Sequence, residues 1–191
     1  MNAPVELDRD RLRVLLADLD ARMREHGIAA GLYVVGGAAI ALTIAERRVT
    51  VDVDALATDK VVYDQAVTIA KHHGLPPTWL NPSAAPWIPP RHGVALPAGP
   101  GLHVEYAPAE HLLAMKMVAM RDRDYPDIAD LARALGMGDA DGAAFEQLLR
   151  NAYGDDETLE MALGIHRDED LDTEVTHRGR DTCRIVQHLP G

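Results

Sequence analysis

The chain has 191 residues, 47% of them hydrophobic, with 19 Lys plus Arg against 30 Asp plus Glu and a formal net charge of −11. That is enough for one domain, or one domain with a helical annex, around a real core, and the acidic balance argues against a broad cationic surface for non-specific nucleic-acid binding while leaving room for a local basic site. The single Cys183 excludes an internal disulfide or a Cys-based metal cluster, no run approaches the roughly 18 apolar residues of a membrane span, and the first ten residues lack a secretory signal's apolar core, so a cytoplasmic protein with no membrane partner is expected.

Leu12, Leu15, Leu16, Leu19 and Met23 recur at helical spacing and predict a helix from Leu7 to about His26, stopped by Gly27. Leu32 to Val35 reads as a short buried strand ending at Gly36-Gly37, and Ala38 to Ala45 as a small-residue helix. Val49 to Leu56 alternates, with Val49, Val51, Val53 and Ala55 on one face and Thr50, Asp52 and Asp54 on the other, as in a half-buried strand. Thr58 or Asp59 can cap a helix running to about His73, before Gly74. Residues 75–100 hold eight of the twelve prolines and read as loop, with a short strand around Thr78–Leu80. Leu102, Val104 and Tyr106 alternate with His103 and Glu105, which predicts another strand. Helical stretches follow at about 108–121, 124–136 and 141–153, whereas 166–191 shows no convincing period and reads as irregular or extended. The order implies an α/β fold, a small sheet with a C-terminal helical part. Residues 1–153 form the expected domain, with a sheet core at about 28–107 and a helical part at 108–153. Residues 154–191 carry ten acids and four bases and read as an acidic C-terminal extension.

Four constellations carry chemistry. Gly36-Gly37 stands where a strand meets a helix, where glycine lets backbone N–H groups approach an anion; the alternative is a tight turn needing glycine for packing. Asp52 and Asp54, two apart on a strand, place paired carboxylates on one face, their Cα atoms about 6.6 Å apart. Such a pair repels unless a cation lies between, and Mg²⁺ suits hard oxygen ligands and phosphate; the alternative is a solvated strand face. Glu105 is a candidate third carboxylate if its strand adjoins the aspartate strand, and His103 competes on the same face. Lys116 falls within the apolar stripe of its helix, beside Leu112, Leu113 and Met120. There a charge needs a partner, which a polyphosphate or Asp127 would supply, unless the side chain snorkels outward. In the run Arg121 to Asp127, Asp124 can cap the next helix, with Asp127 at its third position. Arg47, Arg48, Arg121 and Arg123 read as solvated charges or as contacts to phosphate or an RNA backbone.

Gly36-Gly37 followed by Arg48-Val49-Thr50-Val51-Asp52-Val53-Asp54 resembles the nucleotidyltransferase superfamily that includes DNA polymerase β. Glu110 to Lys116, Arg123-Asp124 and Asp127-Ile128, with Trp79-Leu80-Asn81, look like the AbiEii/MenA-type nucleotidyltransferases of bacterial toxin–antitoxin pairs. The likeness covers roughly residues 28–153. It implies a small mixed sheet flanked by helices and a two-carboxylate site for Mg²⁺ or Mn²⁺. Asp52 and Asp54 would bind metal, with Glu105 as the candidate third ligand; Gly36, Gly37 and Arg48 would hold the nucleotide; Lys116 would contact phosphate; and Asp127 would be the essential aspartate after the lysine helix. It implies an NTP substrate, a tRNA 3′ end as acceptor and an antitoxin partner. Nucleotidylation of a partner protein, an inactive binding protein of the same fold and a metal-dependent phosphohydrolase are the rival readings. The glycines are followed by alanines where many relatives have a serine, so a hydroxyl contact to phosphate is missing from that helix.

Overall fold

The computed structural model describes residues 5–46, 48–91, 93–165 and 170–189. The chain divides into two units, Met1–Ala85 with His92–Ala107, and Pro86–Arg91 with Pro108–Gly191.

In the first unit, α1 (Arg9–Glu25) starts at Asp8, whose carboxylate accepts a hydrogen bond from the Arg11 N–H at 2.8 Å. Its buried residues are the five of the apolar stripe, Leu12, Leu15, Leu16, Leu19 and Met23. There follow β1 (Ala29–Val34), α2 (Gly36–Thr43), β2 (Val53–Ala57), α3 (Val61–His73), β3 (Leu80–Asn81) and β4 (Gly101–Tyr106). The sheet order is β3-β2-β1-β4. β1 runs antiparallel to β2 and parallel to β4, and β2 runs parallel to β3, so the sheet is mixed.

The alternating run from Val49 overreaches as a strand prediction. β2 starts at Val53, and before it only Thr50 pairs, in an isolated antiparallel bridge to Leu7. Val51 is 48% exposed, so alternation there does not mark a buried face. Of the two expected caps of α3, Asp59 serves: its Oδ1 accepts from the Val61 N–H at 2.9 Å, with Lys60 already in helical conformation between them. Thr58 Oγ1 instead accepts from the Gly31 N–H of β1 at 2.8 Å. Trp79 is buried with its indole N–H donated to the Ala66 carbonyl at 2.8 Å, which anchors β3 against α3.

The second unit is helical: α4 (Ala109–Ala119), α5 (Tyr125–Ala134), α6 (Gly142–Tyr153), α7 (Asp156–Leu163) and α8 (Leu171–His188). Its core includes Leu112, Leu113, Met117, Ile128, Leu131, Phe145, Leu149 and Tyr153. The Tyr153 hydroxyl donates to the Trp87 carbonyl at 2.8 Å, and burial raises its pKa above the usual phenol value. The segment read as irregular is therefore corrected: from 171 onward it is an 18-residue helix, and residues 166–169 and 190–191 lie outside the described residues. Its buried positions are Val175, Gly179, Thr182 and Val186. That spacing is helical, but Gly and Thr occupy two of the four positions, so no hydrophobic period appears. The acids of the expected extension partly serve as caps. Asp155 accepts from Thr158 N–H and Asp170 from Asp172 N–H. Both carboxyls titrate below their ordinary value, Asp155 through the Thr158 backbone bond and Asp170 through the Thr173 hydroxyl. Among the described residues, no helix is long and apolar enough to cross a membrane.

α6 and α8 approach closely through glycine. A Cβ on Gly179 would lie 2.5 Å from the Gly142 carbonyl oxygen and 2.6 Å from Glu146 Cγ. Gly179→Ala is expected to destabilise the second unit by about 1–3 kcal/mol through overpacking, read as a lower denaturation midpoint. Gly138→Ala, whose Cβ meets only Arg133 Cγ at 4.0 Å, is the neutral control.

His111, in the first turn of α4, has a buried Nδ1 without a hydrogen-bond partner. Burial lowers its pKa, against a smaller opposing pull from Glu110. The depressed folded value means the unfolded chain takes up the proton first, so the stabilisation is full above about pH 6.5. It is lost as pH falls from there toward the depressed value. Chemical denaturation between pH 7.5 and 5 is expected to show that slope, and His111→Gln to flatten it.

Candidate active site

β1 ends at Val34, and Val35 is the N-cap of α2, with an extended backbone and no side-chain cap bond. Gly36 then takes φ +62, a left-handed conformation that costs other residues about 1–2 kcal/mol. The Val35 N–H donates to the Asp54 carbonyl at 2.9 Å, carrying the β1–β2 pairing one step past the strand end. This register delivers Asp54 to the turn: its Oδ2 lies 3.3 Å from where a Cβ of Gly36 would stand. Beside it, Thr50 Oγ1 lies 2.9 Å, and Arg48 Nη2 3.5 Å, from the corresponding point on Gly37. The two glycines, Asp54, Thr50 and Arg48 thus converge at the N-terminus of an eight-residue helix. Arg48 Nη1 also donates to the Val49 carbonyl.

The sequence-derived site is only partly assembled. Asp52 is half-buried in a bend just before β2, so it does not belong to the same regular strand as Asp54. Glu105 does not meet the condition set for it, because β1 lies between β2 and β4. Two strand spacings separate such residues by about 9.5 Å. Its carboxylate instead accepts from the Ala95 N–H at 2.9 Å and faces His103 Nε2 at 3.3 Å. Among the described residues, no group of three or more His, Cys, Asp and Glu side chains is arranged to hold a metal. A two-carboxylate set suits Mg²⁺, which keeps waters and is completed by substrate phosphates, and Asp54 brings one carboxylate to the glycine turn, its Oδ2 close against the Cβ position of Gly36. By donor chemistry alone, Asp52 and Asp54 are the carboxylates that such an ion would take. Arg47 lies outside the described residues, and Arg121 and Arg123 are exposed. Asn81, from the Trp79-Leu80-Asn81 run, is the register partner of Asp54, but its amide serves its own turn, donating to the Thr78 carbonyl and accepting from Ser83 N–H.

In the second unit, Lys116 neither snorkels nor stands alone. Its Nζ lies 2.5 Å from Asp124 Oδ1 and 2.8 Å from Asp127 Oδ2. The side chains are 13%, 6% and 3% exposed for Lys116, Asp124 and Asp127. Asp127 thus holds Lys116, one of the two partners foreseen. Asp124 occupies the N-cap of α5 but makes no side-chain cap bond, because its carboxylate is committed to the lysine. Sequence reasoning missed that role, since an aspartate before an apolar helix reads first as a cap. Thr50 was missed too; its place on the polar side of the aspartate run was the available signal.

No protein-family model, curated protein or solved structure matches the chain.

One ammonium shared by two buried carboxylates makes the lysine structurally necessary. Lys116→Met is expected to lower stability by about 3–5 kcal/mol in denaturant unfolding, because both carboxylates lose their counter-charge. Adding Asp124→Asn and Asp127→Asn to that variant is expected to recover much of the loss.

Proposed function

We propose that the chain is a Mg²⁺-dependent nucleotidyltransferase that moves NMP from an NTP to an acceptor hydroxyl and releases pyrophosphate. We further propose that it is the toxin of a bacterial toxin–antitoxin pair and that the acceptor is the 3′ end of tRNA. The observation that carries the reading is the Asp54 carboxylate seated 3.3 Å from the Cβ position of Gly36 at the start of α2. A metal-ligating group and a backbone anion cradle thereby meet on one turn, which the packing reading of the glycines does not require.

Gly36 and Gly37 present backbone N–H groups at a helix start with no side-chain cap, where a polyphosphate is favoured. Asp52 and Asp54 would hold the cation against phosphate oxygens, and Arg48 adds positive charge on the Gly37 side. When bound, Mg²⁺ or Mn²⁺ neutralises the phosphate oxygens and orients an in-line displacement. The resemblance in sequence assigns Lys116 to phosphate. Within the second unit, its ammonium is shared by Asp124 and Asp127.

The test is incubation with Mg²⁺, each α-³²P NTP and total tRNA or cell lysate. Label on RNA is expected, reduced about 10²–10³-fold by Asp52→Ala or Asp54→Ala. Label on a protein band moves the acceptor to a protein hydroxyl. Release of NMP without transfer identifies a phosphohydrolase, and no label from wild type or either variant sinks the enzymatic reading.

A further inference from the structure

The first turn of α2 contains Gly36, Gly37, Ala38 and Ala39, and its N-cap is Val35. The helix therefore brings no hydroxyl of its own to the anion cradle. Thr50 reaches the same place from a different segment. Its Oγ1 stands 2.9 Å from the Cβ position of Gly37, an approach that any side chain at 37 would block. The position is fixed by backbone bonds in both directions with Leu7, at 2.7 and 3.0 Å. The hydroxyl proton is donated to the Asp52 carbonyl at 3.1 Å, long for an O–H···O bond. Rotation about one bond can redirect it toward the glycine turn. Arg48 Nη2 lies 3.5 Å from the same point on Gly37. A hydroxyl donor, a guanidinium and helix-start N–H groups around one point are the donor set for phosphate oxygens.

We infer that Thr50 is a phosphate-binding residue, supplying from the segment ahead of β2 the hydroxyl contact to the nucleotide's polyphosphate that α2 lacks. This rests on the nucleotidyl-transfer reading for the identity of the ligand, but the anion contact is testable without turnover.

The experiment compares wild type, Thr50→Val and Thr50→Ser by calorimetric titration with inorganic tripolyphosphate in Mg²⁺ buffer, and by Mn²⁺ binding in the absence of phosphate. The Val variant is expected to bind tripolyphosphate about tenfold more weakly, with the Ser variant near wild type and Mn²⁺ binding unchanged in both. Equal tripolyphosphate affinity in wild type and Thr50→Val, or no binding by wild type, overturns the inference. So does loss of Mn²⁺ binding in the Val variant, which would make Thr50 a positioning residue for Asp52 through the carbonyl bond. If the Val variant loses tripolyphosphate yet wild type transfers no NMP, the nucleotidyl-transfer reading fails and the phosphate contact stands. If NMP transfer proceeds and Thr50→Val binds and transfers normally, the reverse holds.

Discussion

The hydrogen bond from Val35 N–H to the Asp54 carbonyl sets the candidate site. It fixes the register in which the chain leaves β1 and turns into α2, and a slip of one residue would send Asp54 to the other face of the sheet. The left-handed Gly36 makes the reversal possible within one residue. The missing side chain there then leaves room for the carboxylate that the register brings. Conformation and space thus call for the same residue at the same position for separate reasons. The second glycine repeats the logic toward Thr50 and Arg48. A turn needed only for packing would demand small size at 36 or 37, but not three polar side chains gathered around them.

The second unit has its own organising interaction. Lys116, in the apolar stripe of α4, is tolerable because α5 and the turn before it return two carboxylates to its ammonium. The desolvation of three charges is offset only while all three remain. The arrangement holds Nζ in place as well as neutralising it. A lysine used only for solubility would not be taken out of water at such cost.

How much of this the sequence reveals depends on which residue types do the work. The helix of α1 is legible because leucine and methionine fill its buried stripe, and the order of strands and helices gives the mixed α/β class. α8 is not legible, because Gly179 and Thr182 stand at positions where an apolar side chain would have marked the period. Close approach to Gly142 requires glycine there, so the packing itself erases the signal. The aspartates and glycines of the site are visible as types and spacing. Which strand separates Glu105 from Asp54 is not, since neighbour order in a sheet is a long-range property that local alternation does not encode. Asp124 is ambiguous for a related reason: a cap and an ion-pair partner call for the same residue at the same place.

The net charge of −11 bears on the proposed chemistry less than its size suggests. Field at a site is set by groups within about one Debye length, roughly 8 Å at physiological ionic strength. The side-chain atoms nearest the Cβ positions of the two glycines come from Arg48, Asp54 and Thr50. A divalent ion held by Asp54 and Asp52 would make the turn locally positive, although the chain as a whole stays acidic. Much of the remaining acidity belongs to residues 154–191, where Asp155 and Asp170 are committed to helix starts in the second unit. An acidic protein can therefore present an anion site, provided that its positive potential is made by backbone N–H groups, one arginine and a metal rather than by a basic surface. Such a site favours a compact, highly charged ligand such as a triphosphate over a long polyanion, because attraction is confined to one turn while the surrounding acids repel at longer range.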